Sequence, residues 1–508
     1  MLADVRSYAL EGLEGYGVDV EVDVTNGIPG VETVGLASTA TKESKERVRA
    51  AIKNSGLPYP ARRITVNLAP AETKKEGASL DLPIAVGLLV CAEVVTGRLY
   101  KDFVMIGELA LNGGLRHVNG VMPLLISAMQ KGEKKFVIPS ANAAEAGYID
   151  GIDVYAFDSL KDVVDFLNGA PAEPVKKRGF EAAKREMRYD VDFADVKGQA
   201  VAKRAIEIAV AGGHNVLMSG PPGAGKTMLA KCVPTIMPDM TFEEAVEVTK
   251  IHSVAGVLDA SEGIVAVRPF RSPHHTATVP ALIGGGAKAR PGEVSLAHNG
   301  VLFLDEMPEY SRRTLETLRQ PLEDKKVFVS RVMHSVEYPA NFMLVASMNP
   351  CPCGNYGSRT QTCRCTAAQI HNYLAKLSGP LLDRIDLLIE VDGVEYAELR
   401  GKGGSESSAA VKERVERARA VQRARFAGTG INTNAQMNAK DMAKWCVVDE
   451  NGERLLKRAF DKMGLTARAA ARILKVARTI ADLAGEENIL PVHLAEAIQY
   501  RNTERKYI

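Results

Sequence analysis

Residues Asn215 to Leu229 read NVLMSGPPGAGKTML. An apolar strand, Val216 to Ser219, runs directly into Gly220-Pro221-Pro222-Gly223-Ala224-Gly225-Lys226-Thr227-Met228, the Gly-x4-Gly-Lys-Thr spacing of a phosphate loop that opens a helix. Each residue type has a physical reason. Glycines let backbone N–H groups wrap phosphate oxygens, the Lys226 ammonium meets the β and γ oxygens, and the Thr227 hydroxyl ligates Mg²⁺ at the helix N-terminus. The stretch therefore predicts a P-loop α/β domain with a parallel sheet, binding ATP with Mg²⁺.

Downstream, GVLFLDEMPEY gives a second buried strand, Val301 to Leu304, ending in Asp305-Glu306. An aspartate at such a strand end holds Mg²⁺, and the adjoining glutamate polarises an attacking water. The plain alternative is a solvated acidic turn. A third strand, NFMLVASMNP, ends at Asn349, an amide placed to sense a γ-phosphate or its water. SGPLLDRIDLLIEV sets Arg384 in a short charged turn, and GLTARAAARILKVAR brings Arg468 to the start of a late helix. On its own, each arginine reads more often as a surface ion pair.

Working outward, the 508-residue chain is too long for one domain. Residues 1–170 alternate β-rich runs with helices, among them TKESKERVRAAIKNSG, which stops at Gly56. Residues 171–190 have a linker composition, 191–395 form the P-loop domain, and 396–508 become helix-forming after the Gly/Ser-rich RGKGGSESSAA. With 64 Lys+Arg against 62 Asp+Glu the formal charge is +2, so a nucleic-acid surface must be local rather than global. The beginning of the chain has no signal-like apolar segment, and no apolar run is long enough to span a bilayer, which predicts a soluble cytoplasmic protein without a membrane partner.

Four of the seven cysteines fall in CPCGNYGSRTQTCRC: Cys351, Cys353, Cys363 and Cys365. Cys-x-Cys-x9-Cys-x-Cys brings four sulfurs together if the loop folds back, and zinc takes four thiolates in a closed, structural tetrahedron. Plain reduced thiols and a redox-switched pair are the alternatives. Cys91, Cys232 and Cys446 sit in apolar or helical settings and read as core.

Taken in order, DVKGQ (195–199), GPPGAGKT, RSPHHTAT (271–278), GVLFLDE, the CPCG and CRC pair, SGPLLDRIDL and LTARAAARILKVARTIADLA resemble an AAA+ ATPase of the magnesium-chelatase-like branch, the ComM/YifB family, along essentially the whole chain. The resemblance implies Asn349 as sensor 1, Arg384 as an arginine finger reaching a neighbouring subunit's ATP, Arg468 as sensor 2 from a helical lid, and a homo-hexameric ring. It also implies that two insertions face a central channel. One is RPFRSPHHTATVPALIGGGAKARPGEVSLAHNG, with Arg268, Arg271, His274, His275, Lys288 and Arg290; the other is a hairpin in KKVFVSRVMHSVEYP, with Arg331 near its turn. Basic groups there would grip a nucleic-acid backbone without sequence preference.

The segment KKEGASLDLPIA resembles the serine-bearing stretch of Lon-type proteases, with Ser79 at the nucleophile position, and predicts a Lon-like, ribosomal S5 domain 2-like fold. Met122 stands where that fold supplies its lysine base, and a serine without a base is a poor nucleophile. Three functions follow in order of expectation. The first is an ATP-dependent DNA motor, a branch-migration helicase acting on branched or single-stranded DNA during natural transformation. The second is a chelatase-type motor remodelling a protein partner, and the third an ATP-dependent protease.

Overall fold

The computed structural model describes residues 1–34, 39–70, 78–186, 189–286, 289–330, 335–357, 361–393 and 406–501. Lys288, Arg331 and the Lys74 to Gly77 part of the Lon-like segment lie outside the described residues. The chain divides into two compact units, Met1–Met187 with Thr241–Ala266, and Arg188–Met240 with Val267–Ile508.

In the first unit, the strands Leu2–Glu11 and Glu14–Thr25 form an antiparallel hairpin at the centre of a seven-stranded mixed sheet. Alternation of buried valines, such as Val18, Val20 and Val22, with exposed or half-buried residues is what a two-faced strand requires. One face packs on the helices Thr39–Asn54 and Asp81–Cys91, and the other on Val121–Gln130. Met122 is fully buried in the second apolar cluster. The helix Phe242–Ala255 joins this unit through polar bonds. Its Ser253 hydroxyl donates to buried Glu145 (2.7 Å) and accepts from the Gly120 N–H (3.0 Å), while Asn142 also donates to Glu145 (2.9 Å). Within the linker-like stretch, Phe180–Glu186 is a short helix.

The second unit is built on a five-stranded sheet in the order Phe270–Arg271, Val301–Leu304, Met343–Met348, Val216–Ser219, Leu387–Glu390, with every pairing parallel. The inner strands are near-continuous apolar runs, which is the pattern of a parallel sheet covered on both faces. Helices Ala200–Gly212 and Lys226–Ile236 lie against it, and the late helix Ser408–Arg425 packs on both. The helices Glu450–Met463, Ala467–Ala484 and Pro491–Gln499 complete the helical region and share its apolar core. Lys326–Ser330 and Ser335–Pro339 form the expected hairpin. No helix among the described residues is long and apolar enough to cross a membrane.

Candidate active site

Register fixes which groups can meet. Ser219 pairs with Met348 on one side and Glu390 on the other, and Leu304 pairs with Ala346. The phosphate loop, Asp305-Glu306 and Asn349 therefore leave the sheet together at its carboxyl edge, where open α/β sheets bind ligands. Gly223 (φ 77°) and Gly225 (φ 86°) take the left-handed conformations that curl the loop into the helix at Lys226.

Lys226 is buried and folded back over its own loop. Its ammonium donates to the carbonyls of Gly220 and Pro221 and to Asn349 Oδ1 at 3.1 Å. Burial pushes its pKa down, against the pull of Asp305 and Glu306. Thr227 Oγ1 donates to Asp305 Oδ2 at 3.0 Å, and the other Asp305 oxygen accepts from Ser347. Two adjacent oxygens on an octahedral Mg²⁺ stand about 3 Å apart, so the Thr227–Asp305 pair has the donor chemistry and spacing for that ion. Glu306 adopts φ 51°, ψ 49°, an uncommon conformation for a residue with a side chain, and its N–H donates to Ser347 Oγ at 3.2 Å. The result is an aimed carboxylate, half exposed, with His275 Nδ1 at 4.0 Å. The rings of His274 and His275 lie 4.1 Å apart at a tilt of 34°, and the Tyr310 hydroxyl anchors the same turn through the Pro273 carbonyl (2.6 Å).

Sequence reading missed Ser347 and Tyr310, and it named His275 only among the groups of the first insertion, not beside Glu306. For Ser347 the signal is a hydroxyl inside an otherwise apolar strand, two residues before Asn349. For His275 it is a polar run directly after the edge strand Phe270–Arg271.

Arg384 and Arg468 are not at this edge. Asp386 donates its N–H to the Asn215 carbonyl ahead of the first strand, so the turn that carries Arg384 sits at the amino edge of the sheet. Arg384 is largely buried, bonded through Nη2 to Glu323 and through Nη1 to the Pro380 carbonyl. Its Nε has no partner among the described residues. Arg468 is 73% exposed and stands 3.9 Å from Asp383, the residue before Arg384. Beside them lies a buried network: Asp386 accepts from Arg472 (2.7 Å) and the Asn215 N–H (3.0 Å), with His214 Nδ1 at 3.5 Å. Burial pushes the Asp386 pKa up, but Arg472 and His214 outweigh it and hold the carboxyl well below the usual range.

In the first insertion, Arg268 is tied to the carbonyls of Pro238, Asn299 and Asp239, and Arg271 makes a two-pronged pair with Glu293 at 2.7 and 2.8 Å. These two arginines organise the loop itself. Arg290 is exposed.

The four sulfurs of Cys351, Cys353, Cys363 and Cys365 lie within 4.8 Å of one another, with Sγ···Sγ separations of 3.4, 3.6 and 3.7 Å among the first three. A tetrahedron with Zn–S of about 2.3 Å has edges of about 3.8 Å, so the set fits zinc. Backbone N–H groups of Arg364 and Asn355 pull the Cys353 thiol down to about 6, and burial pushes Cys365 up to about 12. Cys232 and Cys446 are buried as expected, whereas Cys91 is only half-buried and donates to the Met1 and Val22 carbonyls.

Family models described as subunit ChlI of magnesium chelatase match residues 20–142, 192–399 and, for the C-terminal part, 405–501. Competence protein ComM of Haemophilus influenzae is 45% identical over 98% of this chain and 97% of its own length. The YifB protein of Escherichia coli is 42% identical over 100% of this chain and 98% of its own. A Lon protease of Mycolicibacterium smegmatis is 29% identical over 34% of this chain and 23% of that protein, in the N-terminal region.

Proposed function

Because the chain belongs to the magnesium-chelatase-like AAA+ family of the ComM and YifB proteins, we propose that it is an ATP-driven DNA motor. It works in the cytoplasm as a homo-hexameric ring that hydrolyses ATP and moves branch points in DNA during natural transformation. The observation that carries the ring is the split of the machinery between the two sheet edges. Lys226, Thr227, Asp305, Glu306 and Asn349 gather at the carboxyl edge, and Arg384 with Arg468 at the amino edge. A site assembled from both needs two protomers, with one protomer's arginines facing the next one's phosphates.

In this reading Lys226 and the loop N–H groups bind the triphosphate, and Thr227 and Asp305 hold Mg²⁺, which neutralises phosphate charge when bound. Glu306 takes the proton of the attacking water while Asn349 orients it, and Arg384 and Arg468 stabilise the charge that builds on the γ-phosphate. Cys351, Cys353, Cys363 and Cys365 hold a structural Zn²⁺. The DNA substrate rests on likeness to a competence protein along nearly the whole chain. The test is a branch-migration assay on a synthetic four-way junction with ATP. Junction movement and DNA-stimulated hydrolysis are expected; neither occurring would reject the DNA reading.

A second reading, a chelatase-type motor that remodels a protein partner, is favoured by the family models that carry the chelatase subunit's name. Proteolysis is disfavoured because Met122, at the position of the expected base, is sealed among apolar side chains.

A further inference from the structure

The four-cysteine insert touches the nucleotide site at two points. Asn349, whose side chain holds the Lys226 ammonium, is followed by Pro350 and then by Cys351, and its backbone lies beside the Tyr373 phenol on the helix after the cluster. Gly354, in the turn that follows Cys353, presses on the phosphate loop: a Cβ added there would lie 2.6 Å from Pro222 Cδ. Gly354 also has φ +80° and donates its N–H to the Cys351 carbonyl at 2.9 Å, so cysteine positions and loop contact belong to one tight turn. Cys353, Cys363 and Cys365 are half-exposed, and Cys351, although fully buried, is not part of the apolar cluster that packs on the sheet. Freeing the sulfurs therefore releases the turn without dismantling the domain.

We infer that cation occupancy of the four-thiolate site, Zn²⁺ being the class of ion, sets the nucleotide affinity of the adjoining phosphate loop. With the ion bound, Cys351 and Gly354 are fixed, and Asn349 and Pro222 stand ready for the triphosphate. Without it, ATP binding has to order that segment first, which lowers affinity. The coupling is reciprocal: ATP raises zinc affinity by the same factor that zinc raises ATP affinity. This rests on the ATP site proposed above.

The test uses the full-length protein purified without chelator. Affinity for a fluorescent ATP analogue is measured before and after a chelator that removes zinc and leaves magnesium, with circular dichroism reporting the fold. The expected result is binding weaker by about tenfold, within the usual range of coupling between sites. On the untreated protein, competition with a zinc-binding dye should show zinc held about tenfold more tightly when ATP is present. This second measurement decides if stripping unfolds the chain. A change in ATP affinity below about twofold in a folded, stripped protein would overturn the inference. So would zinc affinity indifferent to ATP, or a protein that neither contains nor takes up zinc. A zinc-loaded protein that binds no ATP would sink the ATP site itself, a different failure.

Discussion

Replacing Arg384 with alanine gives the sharpest test of the split site. Four residues separate the level of Asn215, where Asp386 docks, from Ser219, and at about 3.3 Å each they put about 13 Å between the Arg384 turn and the start of the phosphate loop. Lys226 lies beyond that, so Arg384 cannot serve its own chain's nucleotide. Within the chain the substitution removes a bond to Glu323, whose side chain is 57% exposed, and a bond to one carbonyl. Truncation leaves Glu323 free to hydrate but strips an arginine that is itself only 9% exposed, a loss of about 1–3 kcal/mol, so the variant should fold and assemble. An arginine finger instead supplies a factor of about 10³ to 10⁵, or about 4 to 7 kcal/mol of barrier. Arg384→Ala alone and Lys226→Ala alone should both be inactive in steady-state ATP hydrolysis. Mixed one to one before assembly, about one interface in four joins an intact Lys226 site to an intact Arg384, and turnover should recover to about a quarter of the wild-type rate if interfaces act independently. A mixture that stays as inactive as its parents while forming rings would refute action across the interface. Full activity of Arg384→Ala as a lone subunit would refute it more directly.

Glu306→Gln should bind ATP with wild-type affinity yet hydrolyse it at least about 10²-fold more slowly, read by nucleotide binding beside phosphate release; unchanged turnover would remove Glu306 as the base. Asp386→Asn, which leaves Arg472 without its carboxylate, should destabilise the second unit by about 3–5 kcal/mol in urea unfolding. The pH dependence has a definite sign. The folded pKa of Asp386 lies below its ordinary value of 3.8, so its contribution is present above about pH 4 and drains as pH falls further. Acid unfolding of the asparagine variant should lose that component of the slope, and an identical acid profile would show the pair to be energetically silent.

The phosphate loop and the carboxylate strand were legible because local chemistry leaves few options. Left-handed backbone at fixed intervals calls for Gly223 and Gly225, and an apolar run that ends in Asp305-Glu306 marks a buried strand surfacing at its carboxyl end. The four cysteines were legible for a similar reason, since two short C-x-C elements around a glycine-bearing loop leave the sulfurs little freedom. What escaped depends on partners remote in sequence. Asp386 meets Arg472 from 86 positions away, and nothing in RIDL announces it. Arg268 and Arg271 read as loose cations, yet three backbone carbonyls and Glu293 occupy them, and carbonyl partners leave no mark in composition. The Phe242–Ala255 helix lies between two motifs of the nucleotide site, but hydrogen bonds from Ser253 to buried Glu145 and from the Gly120 N–H to Ser253 tie it to the first unit, through partners remote along the chain.

The amino-edge turn carries a mechanical consequence. Arg468 and Arg472 stand four residues apart on Ala467–Ala484, hence on one face of that helix, and they pair with Asp383 and Asp386, which bracket Arg384. Two ion pairs from one rigid helix on either side of the finger make helix and finger move together. Arg384 is meanwhile held by an exposed glutamate and one carbonyl, with its Nε unpartnered among the described residues, so little opposes its transfer to a stronger anion. In the proposed ring the stronger anion is the neighbour's γ-phosphate. A shift of the late helices would then reach that phosphate through Asp383 and Asp386, and loss of the phosphate on hydrolysis would return Arg384 to Glu323. A ring built this way passes its state from subunit to subunit without any contact between the two phosphate loops.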